Sequence, residues 1–102
     1  MSLEEYSVKI YPAAQGDLRD IVEYLNTISP DAAIRYYDLI IEQIGTLTTM
    51  PERCSLVKDT QLRLRGYRML LVKNYIVLYV VKGKTVEVRR ILYARRQYEM
   101  LL

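Results

Sequence analysis

Histidine, tryptophan and phenylalanine are absent from this chain of 102 residues, and cysteine occurs once, at Cys54. Without histidine there is no Ser-His-Asp or Cys-His catalysis and no usual zinc-hydrolase ligand set. A single thiol rules out both a cysteine cluster and a redox pair, and it fits a reducing cytoplasm better than an oxidising compartment. The four glycines are scattered, and neither GxxxxGK[ST] nor GxGxxG occurs. A nucleotide-cradling loop is therefore not expected, and no cofactor or metal is. No uncharged run reaches ten residues, far short of the roughly 20 that span a bilayer. The opening "MSLEEYSVKIYP" is acidic and lacks the basic-then-apolar order of a signal peptide. The expectation is one cytoplasmic domain over residues 1–102, with no membrane partner and enough chain for a single core.

What is present is arginine, lysine and tyrosine, unevenly placed. Residues 1–50 hold three Lys/Arg against eight Asp/Glu, whereas residues 51–102 hold twelve against four. Eight of those twelve are arginine, the side chain best suited to bidentate recognition of anions. All the aromatic residues are tyrosines, ten in number, which pack as core yet keep a hydroxyl for hydrogen bonding or stacking. The asymmetry points to an anionic partner, nucleic acid or an acidic protein segment, against the plainer reading of solvated faces that differ between the halves. The carboxylates of the first half read as a solvated helix face.

The periodicity gives the architecture. Tyr6–Tyr11 alternates and reads as a short strand. Pro12 suits a first helical turn, and Ala14, Leu18, Ile21, Val22, Leu25 and Ile28 form one apolar stripe, with Asp17, Asp20 and Glu23 facing away. Ser29-Pro30-Asp31 is a restart, with a cap, a first-turn proline and an acid on the dipole. A second helix then buries Ala33, Tyr36, Tyr37, Ile40, Ile41, Ile44 and Leu47 and stops at Met50-Pro51. So short a turn makes an antiparallel helix hairpin. From Pro51 to Gly66 the pattern dissolves into a basic connection. "YRMLLVK", "YIVLYVV" and "TVEVRRILY" follow, separated by Lys73-Asn74 and Lys82-Gly83-Lys84, and read as an antiparallel three-stranded meander. The order is β-α-α-β-β-β, an α+β domain with the hairpin covering one face of an antiparallel sheet.

The last strand breaks its own alternation. Val86 and Val88 fall on even positions, Ile91 and Tyr93 on odd ones. A β-bulge near Arg89-Arg90 would return them to one side and re-aim an arginine; the alternative is a strand end buried on both faces. The segment "VRRILYARRQY" closes this region with four arginines and two tyrosines in eleven residues. Such residues suffice for phosphodiester cleavage, with arginine stabilising the developing charge, a desolvated Lys or Tyr moving the proton, and RNA supplying its own 2′-OH. They equally suit binding alone, through arginine on phosphates and tyrosine on bases.

"DLRDIVEYL", "SPDAAIRYYDLIIEQIGTLTTMP" and "YRMLLVKNYIVLYVVKGKTVEVRRILYARRQY" together resemble the RelE/ParE superfamily of toxins from bacterial type II toxin–antitoxin modules. The resemblance spans nearly the whole chain. Its most specific parts are Asp17-Leu18 with Ile21 and Tyr24, Pro51 after the helix hairpin, and Ile91-Leu92 before the basic run. It implies the fold derived above, a cytoplasmic protein and a cognate antitoxin whose C-terminal segment neutralises it. It also implies one of two targets. RelE-like members cleave mRNA in the ribosomal A site, and ParE-like members poison DNA gyrase without being nucleases. In the RelE-like case the resemblance makes Arg68, Arg95, Arg96, Tyr93 and Tyr98 the catalytic candidates. Arg65, Lys73, Arg89 and Arg90 are the candidates for contact with target or nucleic acid. The chain departs from both patterns: Ile76 follows Tyr75 where the nuclease pattern has arginine, and Tyr93 stands where ParE-like chains often carry histidine. The helix hairpin looks more ParE-like. A non-toxic basic binding module on the same fold is the alternative from another class.

Overall fold

A computed structural model describes residues 5–94. A short strand, β1 (Ser7–Ile10), leads directly into α1 (Pro12–Ile28), which Pro12 opens in the position where a missing N–H is harmless. Ser29 is the only residue between α1 and α2 (Pro30–Gly45) and serves both. Its N–H caps the Leu25 carbonyl, and its hydroxyl accepts from the Ala32 N–H at 3.3 Å. The expected second helix is shorter than its apolar pattern. It ends at Gly45, and residues Thr46–Thr48 tighten into a 3-10 turn, with the Thr46 and Thr48 hydroxyls donating to the carbonyls of Gln43 and Gly45. Leu47 remains fully buried. Met50, at φ 47°, then reverses the chain ahead of Pro51.

The basic connection is more ordered than its composition implies. A 3-10 turn at Pro51–Arg53 leads to a short helix, α3 (Thr60–Leu64), whose start is capped by Asp59 accepting from the Leu62 N–H at 3.0 Å. After Gly66 come β2 (Arg68–Val72), β3 (Tyr75–Lys82) and β4 (Thr85–Tyr93), the expected antiparallel meander. The sheet has a fourth member. β1 lies parallel to β4 in the order β1-β4-β3-β2, with Val8 beside Val86 and Ile10 beside Val88. The sheet is thus mixed rather than wholly antiparallel. Parallel pairing follows from the long crossover that the helix hairpin supplies.

Both faces of the sheet are covered around β3. On one, Val72, Tyr75, Val77, Tyr79, Val86, Val88 and Ile91 pack against Ala14, Leu18, Ile40 and Ile44 of the hairpin. On the other, Ile76 and Leu78 pack against Val57, with Leu62, Tyr67, Met69 and Leu92 around them. This second cover explains why "YIVLYVV" is continuously apolar instead of alternating. The expectation of one covered face is corrected by the segment around α3. Tyr79 fixes that segment from the core side, donating from its hydroxyl to the Pro51 carbonyl. Burial, then the neighbouring Cys54, pushes this phenol well above its ordinary range.

Candidate functional site

The irregularity in β4 is a bulge. Leu78 pairs with Arg90 and Tyr79 with Val88, so Arg89 is the extra residue. As the parity of the sequence requires, Val86, Val88 and Ile91 thereby share the hairpin side. β1 leaves β4 at the same level, since its last pair is Ile10 with Val88. From there onward β4 is an open edge on the α1 side, and Asp17 fills the gap. Its carboxylate accepts from Arg90 Nε at 2.7 Å, from Arg90 Nη2 at 2.9 Å and from the Ile91 backbone N–H at 2.9 Å. Asp17 is 15% exposed and Arg90 49%. The ion pair itself is largely solvent-screened and is worth at most about 1 kcal/mol. The charge-assisted bond to the Ile91 N–H is the stronger term, about 1.5–3 kcal/mol. The helical pattern puts Asp17 in solvent with Asp20 and Glu23. Instead it sits on the flank of the stripe, next to Leu18, where a short side chain reaches the sheet.

Beside this clamp the tyrosines gather. Tyr75 meets Tyr36 edge-on at 6.0 Å between ring centres and Tyr93 at 5.7 Å. Burial, with the neighbouring phenols of Tyr36, Tyr93 and Tyr24, raises the Tyr75 hydroxyl above its usual value. The rings form part of a groove of about 610 Å³ between α1 and the end of β4, whose rim carries Asp17, Asp20 and Arg90. A second hollow of about 650 Å³ on the other face is lined by Met69, Leu71, Lys73 and Ile76, and shares Tyr93 with the first.

The remaining sequence candidates are dispersed. Arg68, on the edge strand β2, donates from Nη1 to the carbonyls of Cys54 at 2.6 Å and Glu52 at 3.2 Å. Its Nη2 lies 3.8 Å from the Glu52 carboxylate. It therefore ties the connection to the sheet. Arg89 lies 4.6 Å over the Tyr11 ring, and its Nε faces Glu87 Oε1 at 3.3 Å as an ion pair too poorly aligned for a hydrogen bond. Glu87, by hydrogen bonding to Tyr11, raises that phenol, and Arg89 partly offsets it. Arg65 caps α3 and is exposed, and Lys73 is exposed at φ 55° in the β2–β3 turn. Arg90 and Tyr93 are brought together in the first groove, Lys73 and Tyr93 in the second; Arg65, Arg68 and Arg89 line neither. Arg95, Arg96 and Tyr98 lie outside the described residues. Asp17 and Tyr24, which the sequence reading used only as marks of the resemblance, and Tyr36 and Tyr75, which it assigned to the second helix and a strand, are site residues it did not name. Among the described residues, no group of His, Cys, Asp or Glu could hold a metal ion. No described helix is long and apolar enough to cross a membrane.

A family model described as "ParE toxin of type II toxin-antitoxin system, parDE" matches residues 8–98. The chain belongs to the ParE toxin family. It is thus a RelE/ParE superfamily toxin of the type II toxin–antitoxin class. No curated protein matches it. Among solved structures, a chain of the chromosomal ParDE toxin–antitoxin system from P. aeruginosa is similar over 90% of this chain and 99% of its own. Its TM-score is 0.75 at 24% identity. A chain of the RelBE2 toxin–antitoxin complex from Mycobacterium tuberculosis covers 90% of this chain and 94% of its own, with a TM-score of 0.60 at 19% identity. Both likenesses concern the fold. The ParE-family match takes in all of β1 but Ser7, the helix hairpin, the meander and the bulge, so the edge beside Asp17 lies inside the matched region.

Proposed function

We propose that this chain halts bacterial growth by poisoning DNA gyrase in the cytoplasm, and that a cognate antitoxin neutralises it. The antitoxin reading is supported by the two structural neighbours, both described as parts of toxin–antitoxin systems. The observation that carries gyrase over ribosome-dependent mRNA cleavage is Ile76. The nuclease pattern wants an arginine there, and this side chain is 2% exposed within the apolar cluster of Val57 and Leu78. A cation at that site would have to be desolvated without a partner. Arg68 argues the same way, because its guanidinium is already engaged by two carbonyls and a carboxylate. In this reading Arg65, Lys73, Arg89, Arg90, Arg95, Arg96 and Tyr98 are contact residues and not catalytic ones, and Tyr93 moves no proton.

Inducing the protein in bacteria without its partner tests the proposal. Growth should stop with transcripts intact, and the purified protein should inhibit supercoiling by gyrase on relaxed plasmid. Transcripts cut within codons would replace gyrase with the ribosome, and normal growth would favour a non-toxic binding module.

A further inference from the structure

The groove between α1 and the end of β4 has a chemistry that the choice of target does not use. Its exposed walls are phenol rings, Tyr24 at 63% and Tyr93 at 40% exposure, over a floor made by Tyr75. Ring faces carry the negative lobe of the aromatic quadrupole and attract cations. Two carboxylates stand at the rim. Asp17 is satisfied by Arg90 and the Ile91 N–H. Asp20, nearly one turn further along α1, is exposed and makes no ion pair or hydrogen bond with another described residue. Arg90, the one cation lining the groove among those residues, is held by two bonds to Asp17. Among the described residues the groove therefore carries one negative charge in excess, in a chain of net charge +3. An anionic ligand would meet Asp20 and four phenols there, whereas a planar cation would meet a complementary surface.

The shape narrows the ligand further. A volume of about 610 Å³ admits a long side chain with room for backbone beside it. Beyond Ile10, β4 has no strand on its α1 side; Asp17 takes the Ile91 N–H, and past that point an extended segment can approach the end of β4 and direct a side chain into the groove. We infer that this groove seats an arginine side chain of an extended segment from a partner polypeptide. The guanidinium lies against Tyr24 and Tyr93 and hydrogen-bonds Asp20. Arginine fits better than lysine because its planar head stacks on a ring while its edge still donates.

The test uses the full chain, made by cell-free synthesis with ¹⁵N label and titrated with acetyl-Val-Arg-Val-amide. Saturable amide shifts should cluster at Asp20, Tyr24 and Ile91–Tyr93. Counterparts with glutamate or norleucine in place of arginine should leave those amides unmoved at the same concentrations. Asp20→Asn and Tyr24→Leu alter exposed side chains and keep the core. Each should weaken binding about three- to fivefold, while Asp31→Asn should not. Equal binding of the norleucine peptide would overturn the inference in favour of a merely apolar seat. Shifts produced by uridine monophosphate and not by the arginine peptide would overturn it in favour of a base-stacking site. Absence of any saturable shift would overturn it outright. None of these results depends on whether gyrase is inhibited.

Discussion

At Asp17 one carboxylate accepts three hydrogen bonds from two consecutive residues of β4, 73 and 74 positions further along the chain. Replacing it with alanine leaves the Ile91 N–H at an open edge and frees the Arg90 guanidinium. Asp17→Ala should therefore lower stability by about 1–3 kcal/mol in urea titration. Asp17→Asn, which keeps one acceptor oxygen, should lose less. Equal stability of all three proteins would remove Asp17 from the fold's supports. Tyr79 gives a second test at this scale, in which pH is the variable. Its phenol, like that of Tyr75, is held protonated above the ordinary value, chiefly by burial. Above about pH 10 the unfolded chain releases those protons and the folded chain does not. The stabilisation is complete below that pH and falls as pH rises further. Tyr79→Phe should cost about 1–3 kcal/mol at neutral pH, because the Pro51 carbonyl loses its donor. It should also flatten the alkaline loss. A Tyr79→Phe protein with the same alkaline profile as its parent would refute that assignment.

Among the elements, β4 carries an extra residue. Deleting Arg89 removes the bulge and closes the ladder, and Val86, Val88, Ile91 and Tyr93 then fall on alternate positions of a regular strand, all on the hairpin side. The deletion should therefore keep the cooperative thermal transition and cost no more than about 1–2 kcal/mol, from the contacts that Arg89 makes with Tyr11 and Glu87. Loss of the transition would show that β4 needs the local twist of the bulge and not only its register. The β2–β3 turn offers the opposite sign. Lys73 sits at φ 55°, a conformation that two-residue hairpins usually give to glycine. Lys73→Gly should stabilise by about 0.5–1 kcal/mol in the same urea titration, with strain relief exceeding the added freedom of the unfolded chain.

These elements also mark where the sequence was legible. Helix hairpin, meander and bulge all come from short-range periodicity, and a parity shift between Val88 and Ile91 is visible without coordinates. α3 was not, because five residues carry no periodic signal and Asp59 is an ordinary loop acid until it caps something. Nor was the groove, which collects side chains from Asp17 to Tyr24, Tyr36, Tyr75 and Arg90 to Tyr93. No local pattern couples segments so far apart. The Asp17 clamp escaped for the same reason: its partner is set by the tertiary fold and not by the helical wheel.

For the whole molecule, the parallel pairing of β1 with β4 joins the first described element to the last. Non-local pairing of this kind forms late, since the loop between the strands must close before the contact is gained. On the ribosome, where chain emerges at about 5–20 residues per second, β1 waits for β4 to emerge before it finds its place. Nascent chains arrested with β4 still enclosed should be digested by protease as fast as an unfolded chain, whereas chains extended by a C-terminal linker should resist. Resistance in the first case would show that the helix hairpin and two strands already make a stable core. Otherwise a cell translating this message carries a harmless polymer until the last strand is free. Under the function proposed above, an antitoxin translated alongside it has the whole of that interval in which to be waiting.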